Sequence, residues 1–159
     1  MARILILLAH FIGLGLLIAV QVGSFILDSQ YRKAPDLQTK AILLRALRPI
    51  GLLSPVAMVI MLSSGIGNMT QLGFGLFSMG WLTAKIIFFS LAAVSGVLVG
   101  ITARKRGALV MSMLKGEAPK DANEVLKSYD KQLRLSHVVF PVLLIIILSL
   151  SIYGRLGGQ

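Results

Sequence analysis

The apolar positions of this chain fall into four long runs, over about 4–27, 44–66, 77–103 and 133–153. Each reaches or approaches the ~20 residues that carry a helix across ~30 Å of hydrocarbon. No repeat, low-complexity tract or separate soluble segment interrupts them. The expected fold is all-α: a polytopic membrane protein forming an antiparallel four-transmembrane-helix bundle, one domain over 1–159, with basic loops at 28–43 and 104–132. The first run has an apolar core too long for a secretory signal and is expected to remain as a helix.

Polar residues inside the runs are patterned as well. His10, Leu14, Leu17, Gln21, Ser24 and Asp28 recur at alternating four- and three-residue spacing and so share one helix face, with Gly13 beside it. Ser54, Met58, Met61 and Gly65 make a comparable stripe in the second run, where Pro55 is expected to bend the helix. In the third, Trp81, Lys85, Phe88, Ala92 and Gly96 share a face, with Gly100 a turn further on. Ala92, Gly96 and Gly100 form the small-xxx-small pattern that lets helices approach closely. Polar groups avoid lipid, so these stripes are expected to face other helices.

Composition agrees. With 56% hydrophobic residues and a mean hydropathy of +0.85, a 159-residue soluble domain could not hide its apolar surface. The absence of cysteine removes disulfides, thiolate catalysis and thiolate metal sites. The net charge of +10 is placed to meet lipid headgroups, not nucleic acid. Arg32, Lys33, Lys40, Arg45 and Arg48 lie in the connection between the first two runs or the first residues of the second; Arg104, Lys105, Arg106, Lys115, Lys120, Lys127, Lys131 and Arg134 lie in the connection between the last two or the first residues of the fourth. Only Arg3 and Arg155 fall on the other side, where 67–75 is uncharged. The positive-inside bias puts both basic loops in the cytoplasm and both termini outside, with the bilayer and its anionic headgroups as partners. A membrane-protein partner or a second copy of the chain is also compatible.

Finer expectations follow. Trp81, Tyr31 and Tyr153 suit interfacial anchoring. The apolar patch at 108–114 is expected to lie in the interface, followed by a turn at Gly116–Pro119. Asp121 with Glu124 reads as a cap pair for a helix that starts at Ala122 and bends near Pro141.

The candidate chemistry sits at one depth. Lys85 places an ammonium in a membrane span at a cost of about 2.5–3.5 kcal/mol, and such residues usually mark function. None of Asp28, Asp36, Glu117, Asp121, Glu124 or Asp130 lies at a matching depth along the sequence. At ~1.5 Å per residue, His10 and Met61 lie roughly 9 Å and Lys85 about 12 Å below the outer boundary. His137 is at the opposite end, roughly 20 Å from His10, so the two cannot share an iron. A single haem would take His10 with Met61, Met58, Lys85, water or an open position. Copper(I) would use His10, Met58 and Met61. Packing alone also accounts for His10 and Met61, and snorkelling for Lys85. Asp28, Arg48, Arg134 and His137 are expected to gather as ion pairs at the basic end.

Gly80-Trp81-Leu82-x-x-Lys85 resembles the third-helix signature of the HemJ-type protoporphyrinogen oxidases, which are related to CopD-like membrane proteins. His10 lies where that family has its first-helix histidine. Arg48 and the segment Pro55 to Gly65 resemble its second helix, and Arg134 through Pro141 its fourth. The resemblance implies a four-helix inner-membrane protein associated with b-type haem, with His10 and Lys85 as the functional pair. Two departures imply a divergent member. The segment Gln21 to Arg32 lacks the family's aromatic, proline and arginine-rich motif and its further histidines, and Val138-Val139-Phe140-Pro141 stands where the family has Asn-Glu-x-Pro. Three functions are therefore carried forward: a haem-associated redox protein (an oxidoreductase if it is an enzyme), a non-catalytic small subunit of a larger membrane complex, and a copper-handling membrane protein.

Overall fold

The structure, a computed structural model, describes residues 1–75 and 77–157. It consists of four helices: α1 (Ala2–Lys33), α2 (Leu37–Leu72), α3 (Gly80–Lys115) and α4 (Ala122–Arg155), with no strand among the described residues. Each is long and apolar enough to cross a membrane, and the chain is an all-helical multi-pass membrane protein.

The helices outrun the bilayer. Their 32, 36, 36 and 34 residues correspond to roughly 48–54 Å, against ~30 Å of hydrocarbon. The stretches 28–43 and 104–132, expected as loops, are mostly helix; only 34–36 and 116–121 lie between elements. Hydropathy falls where charges begin, but a helix continues as long as its inward face finds partners. Tyr31, Ala41, Val110 and Leu126, one from each helix, supply those partners by forming a buried core beyond the apolar runs. The 108–114 patch is accordingly the last turns of α3, with Leu109 and Met113 packed on that core. Pro49, Pro55 and Pro141 all lie inside helices that run on past them.

Helix ends follow local chemistry. Gly116 closes α3 in the left-handed region at φ 74°, where a side chain would be strained, so the expected turn is present. Helix α4 starts at Ala122 as expected, but Asp121 makes no side-chain cap bond; backbone turns from Pro119 and Asp121 carry the start instead. The carboxylate cap that does form is Asp36 on α2, which accepts from the Thr39 backbone N–H at 2.7 Å and from its hydroxyl at 2.9 Å.

The helices pair as two antiparallel hairpins, α1 with α2 and α3 with α4, and α2 packs more sparsely against α3. The closest approaches are not at the expected small-residue seam. A Cβ on Gly96 or Gly100 would meet nothing, whereas one on Gly13 would lie 3.0 Å from Ile60 and Met61 side-chain atoms, and one on Gly154 2.5 Å from the Trp81 ring. Between the hairpins, Leu17, Ala57 and Met61 form a second core with Leu14, Leu16, Phe89 and Phe140. Only 6% of the residues in the most apolar stretch of α3, and of α4, are buried inside the chain; the rest are half-buried or exposed. Tyr31, expected at the interface, is fully buried, while Tyr153 is exposed.

Candidate functional site

Two polar constellations sit at opposite ends of the bundle. The one at the basic end is centred on Asp28, at the foot of the α1 stripe. Its Oδ1 accepts from Arg106 Nη1 of α3 at 2.6 Å. Its Oδ2 pairs with Arg32 one turn along α1 and lies 3.4 Å from His137 Nε2 of α4. Arg106 Nη1 also donates to Asp130 of α4 at 3.1 Å. The Tyr31 ring covers the Arg106 guanidinium at 4.3 Å, with the Lys40 ammonium at 5.5 Å, and Phe25 meets the His137 ring edge-on. Two carboxylates thus face two guanidiniums across α1, α3 and α4.

Arg106 and Asp28 side chains are each only 3% exposed. Moving such charges out of water is expensive, and the arrangement holds because every carboxylate is answered. Within this network Tyr31 Oη, Arg106 Nε and His137 Nδ1 are buried without a hydrogen-bond partner among the described residues. The network ties α1 to α3 and α4, the helices that the hairpin pairing alone would leave apart.

The expected gathering of Asp28, Arg48, Arg134 and His137 is half met. Asp28 and His137 meet, while Arg48 and Arg134 are exposed. The partners missed were Arg106, Asp130 and Arg32. A signal was present: Ala92, Gly96, Val99, Ala103, Arg106 and Val110 continue one helical stripe, as do Leu126, Asp130, Leu133, His137, Phe140, Leu144 and Ile147. Ending the third span where the charges begin cut its stripe short of Arg106.

The other constellation is on the termini side. His10 Nδ1 lies 2.9 Å from Ser64 Oγ of α2, and the Ser64 hydroxyl also reaches the Ile60 carbonyl at 2.6 Å and the Met61 carbonyl at 3.2 Å. Ser64 is buried and His10 half-buried; a Cβ on Gly65 would come within 3.9 Å of His10 Cε1. One turn along the same seam, Met61 is buried against Gly13. His10 and Met61 are therefore neighbours across α1 and α2. Lys85 is half-buried on α3, one turn beyond Trp81, whose ring lies on Gly154 and meets Phe74 edge-on.

A cavity of about 20 Å³ lies between the hairpins, lined by Leu17, by Met58 and Met61, by Phe89 and Ala92, and by Phe140, Leu144 and Ile147. It holds about one water at most and its walls are apolar. His10 and Lys85 are not among its lining residues. His137, tied to Asp28, is separated from His10 by about 27 Å of α1 at 1.5 Å per residue, in keeping with the exclusion of a shared iron. Among the described residues, no group of three or more His, Cys, Asp or Glu is arranged to hold a metal ion.

The chain matches no protein-family model, no curated protein and no solved structure.

Proposed function

We propose that this chain is an inner-membrane, redox-related protein associated with haem b, with its basic end in the cytoplasm; His10 would ligate the iron and Lys85 would be the cation for a propionate. The observation that carries the reading is the 2.9 Å contact between His10 Nδ1 and Ser64 Oγ within the apolar part of the bundle. A ligating histidine needs its second ring nitrogen held by an outer partner, which fixes ring orientation and tautomer. Ser64 is suited to that task because its hydroxyl is itself anchored on the α2 backbone. The nitrogen assigned to iron is then Nε2.

The fit restricts the ligand set. A small-molecule site takes roughly 300 Å³ or more, and the central cavity of about 20 Å³ does not accept a porphyrin between the closed hairpins. Met58 and Met61 line that cavity and act here as packing residues. His10 is the one protein ligand in this reading. A bound b-type haem would supply one-electron chemistry; the chain supplies an oriented imidazole, a cation in the apolar span of α3, and helices that keep water away.

A second reading, a non-catalytic subunit of a larger membrane complex, is favoured by the open surface at Gly96 and Gly100. Copper handling draws less support, because His10 does not line the cavity that Met58 and Met61 share. The deciding experiment is the visible absorption spectrum and metal content of protein purified in mild detergent from haem-replete cells. A Soret band that follows the wild type, and is lost in His10→Ala and Lys85→Met with helicity unchanged, is the expected result. A colourless, metal-free protein moves the assignment to the subunit reading. A Lys85→Met protein with its full complement ends the propionate role.

A further inference from the structure

A groove of about 210 Å³ opens between α3 and α4 where the third apolar run gives way to charge. Leu98, Val99, Leu133 and Leu135 make its walls, and Thr102 and Gln132 form its polar end, the Thr102 hydroxyl donating to Gln132 Oε1 at 3.3 Å. That bond turns the Gln132 amide nitrogen into the donor available to an occupant.

The surroundings of the polar end are cationic. Lys105 follows Thr102 by three residues and Lys131 precedes Leu135 by four, so each shares a helix face with a groove residue and lies towards the basic end. Both lysines are exposed. The nearest acid in sequence, Asp130, is engaged by Arg106. On the membrane side the walls carry no charge. An occupant must therefore be apolar along most of its length and anionic at one end.

We infer that the α3–α4 groove is a binding site for one anionic bilayer phospholipid. An acyl chain lies along Leu98, Val99, Leu133 and Leu135, and the phosphate is held by Gln132, Thr102, Lys105 and Lys131. This site is independent of the haem reading, since it lies at the other end of the bundle from His10.

Native mass spectrometry of the detergent-purified chain, offered equal amounts of phosphatidylglycerol and phosphatidylcholine with identical acyl chains, tests it. Wild type is expected to retain phosphatidylglycerol preferentially, with one tightly held copy. Each lysine near the surface is worth a factor of roughly five for an anionic headgroup, so Lys105→Gln/Lys131→Gln should weaken that copy by roughly tenfold or more. Leu98→Trp, at a lipid-exposed position, should reduce retention of both lipids by filling the groove. Lys120→Gln/Lys127→Gln removes the same charge elsewhere on the basic end and should change retention less than about twofold on the same scale. The proposal is overturned if the two double variants lose phosphatidylglycerol equally, which is the signature of a diffuse basic surface. It is overturned equally if wild type shows no preference, or if a folded Leu98→Trp protein keeps its lipid; circular dichroism and size exclusion report the fold.

Discussion

At the basic end of this protein, Tyr31 is fully buried, Arg106 is 3% exposed and Asp28 of α1 reaches both α3 and α4. On the termini side His10 touches Ser64, Trp81 leans on Gly154, and large side chains such as Phe11, Ile12, Leu62 and Ile152 face outward. The difference reflects the solvent. Where the helices protrude beyond the hydrocarbon, burying Tyr31, Val110 and Leu126 removes apolar surface from water, and the hydrophobic effect drives a compact core. Inside lipid that force vanishes, because acyl chains are as apolar as leucine, and association rests on close packing and polar contacts. The basic end therefore fastens the two hairpins, leaving the termini side to carry the sparser polar contacts on which a ligand site can be built.

The sharpest way to break this contrast is Arg106→Met, which leaves Asp130 without its guanidinium and takes from the buried Asp28 the partner on α3. Removing one partner of a buried pair costs on the order of 3–5 kcal/mol, measured by thermal or denaturant unfolding in detergent. Adding Asp28→Leu should recover part of that loss. A single variant that costs less than about 1 kcal/mol would mean an exposed, solvated pair and would remove the fastening role.

Ser64→Ala probes the other end and should act on the ligand more than on the fold. Loss of a ligand's hydrogen-bond partner typically weakens metal affinity 10–100-fold, so under the proposed haem reading the haem retained per protein should fall while the unfolding midpoint moves little. Equal haem content in Ser64→Ala and wild type would detach His10 orientation from the site.

Gly154→Ala tests where the helices actually touch. The new methyl would sit 2.5–2.6 Å from three ring carbons of Trp81, and overpacking of this kind costs about 1–3 kcal/mol. Gly96→Ala, in open space, should cost nothing measurable or stabilise slightly, since alanine is the better helix former. If Gly96→Ala is the more damaging of the two, the small-residue seam is a contact in the assembled protein.

The smallest effect is at Asp36, outside the membrane spans. Donation by the Thr39 N–H and hydroxyl holds its carboxylate below the ordinary value. A carboxylate lowered in the folded state contributes stability that is complete above its unfolded pKa and is lost as pH falls through the folded one. Its NMR titration midpoint should therefore lie below that of an unstructured aspartate, and the Thr39 amide shift should move with it. A midpoint at or above the unstructured value would remove the cap.

The sequence alone determined that four helices cross a membrane, because hydropathy over ~20 residues is a local property that needs no knowledge of neighbours. It determined the Gly116 turn and the start of α4, again from local backbone chemistry. It also placed Asp28 and His137 at one end, since depth along a helix is simple arithmetic. Which arginine meets Asp28 was not legible from local pattern, and neither was the continuation of α1 and α3 past their apolar runs. Arg106 looks like any other member of a basic run until α3 is known to continue and its stripe to face α1 and α4. The same holds for the small residues. Gly13 and Gly154 matter, and Gly96 does not, only because helix pairing brings Met61 and Trp81 to the first two and leaves the third open. Charge pairing and close approach depend on which faces meet, and that is a property of the assembled bundle.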